Sequence, residues 1–199
     1  MKATVLLTIL LTACSVGLVG LLPVGSRAGE TSPRTYQSSG KEVYTGTAIG
    51  MGGQLGNVSI PFRLEIDGQT SDQEVQQYKQ ILETKGGAEL LRAMSKNKLG
   101  TFGFEGRPAH DVNFVQERPE EKGRSITVLF ERLVRTFEVS KKTKSADYPF
   151  TCIELFINES GKGDGSMVTA AKISLKTNIA SIDDFGAFPA RLNGVQLRK

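Results

Sequence analysis

The chain of 199 residues has no tryptophan, one histidine and two cysteines, and each shortage removes a chemistry. Without groups of His or Cys there is no ligand set for a zinc centre. A nucleophile activated by histidine has one possible base, His110, which follows Pro108-Ala109 at the start of a strand-like run and reads as a solvated or capping side chain. Cys152 sits in Phe150-Thr151-Cys152-Ile153-Glu154-Leu155-Phe156-Ile157, where a small residue packed in a sheet is expected. A catalytic thiolate there would need a base to activate it. The other cysteine, Cys14, lies in an apolar N-terminal stretch, and removal of that stretch leaves one thiol and no intramolecular disulfide.

An excess of one charge sign is missing as well. Lys and Arg number 25 and Asp and Glu 21. Lys2 and Arg27 precede Gly29, so a chain starting at Gly29 carries 23 positive and 21 negative side chains, a net of +2. That balance gives no concentrated basic face for nucleic acid. No internal repeat of fixed period appears. The composition is that of one soluble globular domain.

What the chain does have begins with Met1-Lys2, an apolar run from Val5 to Val24, and Gly25-Ser26-Arg27-Ala28-Gly29. A positive start, an apolar centre, a break at Pro23 and the small residues Ser26 and Ala28 describe a secretory signal peptide over 1–28, cleaved after Ala28. Two other readings use the same residues. Leu11-Thr12-Ala13-Cys14 looks like a lipobox in which Cys14 is lipidated, and about 20 apolar residues are enough to stay as a membrane anchor. All three place the folded part outside the cytoplasm, periplasmic or extracellular, or anchored to the membrane by this segment alone. Residues 29–41 are polar, lack periodicity and read as a flexible lead-in. A single β-rich domain is expected over 42–199.

The clearest strand signal is Val58-Ser59-Ile60-Pro61-Phe62-Arg63-Leu64-Glu65-Ile66-Asp67, apolar at every even position. Pro61 has no N–H for a central ladder, which predicts an edge, a bulge or an unpartnered point. Val43 to Ile49 precedes it, with Tyr44, Gly46 and Ala48 on one face; the glycine-rich 50–57 makes the pair a hairpin. The period then changes to 3.6. Thr70 or Ser71 followed by Gln73 or Glu74 offers a capping box, Val75, Tyr78, Ile81 and Leu82 share a face, and Gly86-Gly87 ends the helix. A second short helix carries Leu90, Leu91 and Met94.

Strands resume at Thr101–Phe104, Asp111–Gln116 and Ile126–Val134, the last two parted by the turn Arg118–Gly123. Leu129 and Leu133 break the alternation of Ile126, Val128 and Phe130 and predict cover on both faces. The basic loop Ser140–Ser145 reads as solvated. Tyr148–Ile157 and Ser166–Lys176 form the plainest hairpin, and its loop lacks calcium-loop spacing. Met167, Thr169, Ala171, Ile173 and Leu175 are expected on one face. A final strand runs from Phe185 to Leu197. The adjacent acids Glu120-Glu121 and Asp183-Asp184 point to opposite faces of a strand and make no pair by themselves, so a two-carboxylate site requires a distant partner.

The segment Tyr44-Thr45-Gly46-Thr47-Ala48-Ile49-Gly50-Met51-Gly52-Gly53 through Phe62, with Thr70-Ser71-Asp72-Gln73-Glu74-Val75, Asp147-Tyr148-Pro149-Phe150 and Ile153-Glu154-Leu155, resembles an uncharacterised family of exported bacterial proteins. The resemblance implies a bacterial, exported protein and brings no activity, ligand or catalytic residue with it.

The expected fold is α+β: an antiparallel β-sheet of about eight strands, curled into a barrel or sandwich, with a two-helix insertion between strands 2 and 3. The expected function is non-enzymatic, without cofactor or metal: a module that binds a small apolar ligand between sheet and helices, with Tyr44, Phe62, Tyr78 and Phe130 near the cavity. The alternative is a structural or protein-interaction component of the bacterial cell envelope, with a filled core.

Overall fold

The computed structural model describes residues 40–50, 58–133, 147–186 and 189–198. The expected signal peptide, the lipobox with Cys14, most of the lead-in, the glycine loop 51–57 and the basic loop 140–145 lie outside the described residues.

The first hairpin is β1 (Glu42–Gly50) and β2 (Ser59–Ile66), in the register Tyr44↔Leu64 and Gly46↔Phe62. Helices α1 (Asp72–Lys85) and α2 (Gly87–Met94) follow. Then come β3 (Gly100–Phe104), β4 (His110–Val112), β5 (Phe114–Glu120), β6 (Gly123–Glu131), β7 (Phe150–Asn158), β8 (Lys162–Ser174), a 3₁₀ turn at Lys176–Asn178, β9 (Ser181–Phe185) and β10 (Ala190–Arg198). All pairings are antiparallel, in the order β4-β3-β2-β1-β10-β8-β7-β6-β5, with β9 on β8.

The ends of that order meet. Between β4 and β5 stands Asn113 alone; β4 pairs with β3, β5 pairs with β6, and Asn113 N–H donates to the Leu129 carbonyl. One bent run, His110–Glu120, thus carries the ladder from β3 to β6 and curls the sheet into a barrel-like form. Such curling removes the open edges that a large antiparallel sheet would expose. The described segments number ten rather than about eight, because this run is broken at Asn113 and the expected strand Phe185–Leu197 is two segments. Pro61 ends the β2–β3 ladder, one residue before the paired register begins at Phe62↔Phe104: its carbonyl accepts from Glu105 N–H at 3.0 Å, and the N–H it lacks leaves that contact with a single bond.

Alternation sorts the core into two layers. Tyr44, Ala48, Phe62, Leu64, Ile66, Phe102, Val115, Ile126, Val128, Phe130, Ile153, Leu155 and Met167 fill the interior of the curled sheet. Phe114, Leu129, Cys152 and Val168, one residue out of phase, face outwards and are covered by Val75, Tyr78, Leu90 and Met94 of the helices. This double cover is what the broken alternation at Leu129 predicts. The capping box is Ser71 with Glu74, and Gly86 ends α1 at φ 82°.

Two local expectations are corrected. The Arg118–Gly123 turn shrinks to Glu121-Lys122, since Arg118 to Glu120 still pair with β6. The row Met167 to Leu175 does not keep one face. Cys152 pairs with Val168 but Phe150 with Ala171, and this bulge moves Ala171, Ile173 and Leu175 to the helix side while Met167 stays inside.

Candidate functional site

Two groups of side chains span the interior, one at each end. The polar group starts from the phase of β6. Arg124 shares the inward face of Ile126 and Val128, just as Glu117 shares that of Val115, and Glu42 that of Tyr44. In the barrel order β10, β8 and β7 separate β1 from β6 one way and β2, β3 and the β4–β5 run the other, so these residues meet from opposite walls. Arg124 Nη2 donates to Glu42 Oε1 and Oε2, both at 2.9 Å, and to Tyr44 Oη at 2.6 Å; Nη1 donates to Glu117 Oε2 at 3.0 Å. Tyr44 Oη–H in turn donates to Glu42 Oε2. The Arg124, Glu117 and Glu42 side chains are 9%, 5% and 14% exposed.

The electrostatics follow from that burial. Desolvation pushes the Glu117 carboxyl above the ordinary glutamate value; the Glu42 charge adds to this, against the pull of Arg124 and of neighbouring Gln69. Burial opposes the Arg124 charge, but the hydrogen bond to Glu42 and the nearby Tyr44 and Glu117 more than offset it. The Tyr44 hydroxyl is pushed far up, first by burial and then by its bond to Glu42. Glu117 Oε1 and Gln69 Nε2 are buried without a well-formed hydrogen bond. Tertiary structure has therefore brought two distant carboxylates together, but on one guanidinium that occupies the space between them.

The opposite end is aromatic. The Phe102 ring centroid lies 5.9 Å from Phe62, 5.4 Å from Phe130 and 5.2 Å from Phe104, edge-on to the last. His110, exposed at the start of β4, stacks on Phe130 at 6.3 Å.

The four residues expected around one cavity are thus dispersed. Tyr44 belongs to the polar end, and Phe62 and Phe130 to the aromatic end, all three inside. Tyr78 lies outside the curled sheet, beneath α1, where its ring is 6.5 Å from Phe114 and its hydroxyl accepts from Asn97 Nδ2 at 2.9 Å. Arg124, Glu117 and Glu42 were not singled out by the sequence. The available signal was a charged residue in the inward phase of an apolar strand.

Clefts also open on the surface. One of about 570 Å³ runs along α2 past His110, Asp111 and Phe130. Another, of about 670 Å³, lies over β1, β2 and β3, walled by Thr45, Thr47, Arg63, Thr101 and Arg198. The third, of about 700 Å³, opens between α1 and the strands β8 and β9. Leu82, Phe150, Ile173 and Leu175 form its apolar floor, and its charged rim mixes Lys79, Lys172 and Lys176 with Glu83, Asp147, Asp183 and Asp184. Lys172 and Lys176 reach Asp183 at 3.8 and 3.9 Å, and Tyr148 Oη–H donates to Asp184 at 2.7 Å.

Cys152 is buried under the helices, and burial pushes its thiol well up, away from nucleophilic use. Among the described residues no three His, Cys, Asp or Glu are grouped to hold a metal, and no helix is long and apolar enough to cross a membrane. Compared with protein-family models, with curated proteins and with solved structures, the chain finds no match.

Proposed function

We propose that this is an exported bacterial protein whose domain is a non-enzymatic binding module, holding a small, largely apolar ligand in the cleft between α1 and strands β8 and β9. The observation that carries the reading is the composition of that cleft: Leu82, Phe150, Ile173 and Leu175 below, with three lysines (Lys79, Lys172, Lys176) and four acids (Glu83, Asp147, Asp183, Asp184) at the rim. An apolar floor with a few convergent polar groups is the usual make-up of a small-molecule site. A non-enzymatic role is supported by Arg124, which engages both assembled carboxylates and leaves neither as an acid or base poised over open space. Export is supported by the apolar run Val5–Val24 and the small residues before Gly29.

A second reading has its own observation. The interior is spanned at one end by Arg124 and Glu42 and at the other by Phe62, Phe102 and Phe130. A filled barrel suits a structural or protein-interaction component of the cell envelope.

Native mass spectrometry of the protein isolated from its host, followed by denaturing analysis, separates the two. The binding module is expected to show a discrete small-molecule increment that disappears on denaturation and is lost in Leu82→Arg, which puts a charge on the cleft floor. A ligand-free species in both would overturn the first reading in favour of the second. The denatured mass also reports the start of the chain, because cleavage before Gly29, lipidation of Cys14 and retention of Met1 give different values.

A further inference from the structure

Among the described residues, the polar end of the interior carries an unequal set of charges: one guanidinium, Arg124, against two carboxylates, Glu42 and Glu117. With both acids ionised, the buried group has a net charge of −1, which a desolvated site resists unless a proton is taken up. The two acids are not equivalent. Glu42 places both oxygens on Arg124 Nη2 and also accepts from Tyr44. Glu117 places only Oε2 on Arg124, while its Oε1 is buried without a well-formed hydrogen bond. Among the described residues, the groups facing Glu117 are Arg124 from β6, Glu42 and Tyr44 from β1, and the uncharged Gln69 from the segment after β2.

We propose that Glu117 is a buried proton-binding site, and that its ionisation loosens the contact between β1 and the β5–β6 wall, making this end of the barrel a pH-sensitive closure. With the proton on Glu117, the group is one cation and one anion, bonded across the interior. Without it, a second negative charge competes for Arg124 and repels Glu42. The direction of the Glu117 carboxyl, raised by burial and by Glu42, agrees with this.

The linkage sign follows. A carboxyl whose folded value lies above its unfolded value binds its proton more tightly in the folded state. Its contribution to stability is present below the ordinary glutamate range and is lost as pH rises through the raised folded value. Opening at this end should therefore increase with pH, opposite to ordinary acid denaturation.

Carbon-13 carboxyl titration of the labelled full chain tests this, with hydrogen exchange read alongside. One glutamate signal is expected to titrate above the free side chain, to vanish in Glu117→Gln and to move back towards the ordinary range in Glu42→Gln. Amides of Glu42–Thr45 and of Glu117 and Arg118 should lose protection, beyond the intrinsic base dependence of exchange, over the same pH interval in the wild type and not in Glu117→Gln. Wild-type glutamates that all titrate at or below the ordinary value would overturn the proposal even if neither variant folds. Equal pH dependence of protection in wild type and Glu117→Gln would overturn the closure.

Discussion

At the scale of single residues, the largest consequences sit on Arg124. Its removal leaves Glu42 and Glu117 buried beside each other with no cation, and breaking a buried ion pair from one side costs about 3–5 kcal/mol. Arg124→Met is expected to lose that much at neutral pH and less near pH 4, where protonation relieves the unpaired carboxylates. Chemical denaturation of wild type and variant at both pH values measures the difference, and a loss independent of pH would show that packing of the side-chain stem carries the effect. The same residue shows where single-residue reading stops. Arg124 stands just after the Glu121-Lys122 turn, a place where an exposed cation is unremarkable, and Glu42 and Glu117 lie 75 positions apart in the chain. Only the phase shared with Ile126 and Val128 hinted at an inward guanidinium. Gly46 leaves room for a close approach that no larger residue would allow: an added Cβ there would stand 2.9 Å from Phe62 Cε1.

Elements are where local chemistry and fold agree best. The ten-residue alternation around Phe62 becomes β2, and the Ser71–Glu74 box starts α1 as its spacing requires. Ser71 Oγ accepts from Glu74 N–H at 3.3 Å while Glu74 Oε2 accepts from Ser71 N–H at 2.9 Å. These backbone and hydroxyl bonds hold the Glu74 carboxyl below its ordinary value. Ser71→Ala is expected to cost about 1 kcal/mol, the usual worth of an N-cap, and to let the Glu74 carboxyl move back up. Thermal unfolding and a carboxyl titration check the two parts separately, and an unchanged melting point would show that the helix is held by Val75 and Tyr78 alone. What the sequence could not reveal at this scale are the discontinuities. The bulge opposite Thr151 adds a residue to β8 and reverses its faces without any glycine or proline at that point. Asn113 likewise interrupts His110–Glu120 for a tertiary reason: its N–H is drawn to Leu129, and its Nδ2 donates to the Asn97 carbonyl beyond α2. Neither partner is near in sequence.

For the whole molecule, the decisive question is whether the interior is a container or a core. Alternation alone cannot answer it, because the same inward face of Tyr44, Phe62 and Phe130 lines a cavity or fills one, depending on how far the opposite wall stands. Here the walls are close enough for Arg124 to reach Glu42 and for Phe102 to contact Phe62 and Phe130, with Arg124 and the three rings fully or almost fully buried. A filled interior makes a specific demand on a truncation at its centre. Phe102→Ala removes a ring that no described residue replaces, and a cavity of that kind costs about 3–5 kcal/mol. The space left is lined by Phe62, Phe130 and other apolar side chains, so it should stay dry and accept a small apolar molecule. Benzene is therefore expected to raise the melting temperature of Phe102→Ala and to leave the wild type unchanged, which differential scanning calorimetry with and without the ligand would show. Stabilisation of the wild type to the same extent would mean that the barrel already holds room for a ligand, and would move the binding site from the helix–strand cleft to the interior. Stabilisation of the variant alone would leave the barrel as a solid scaffold, with ligand recognition confined to its outer surface.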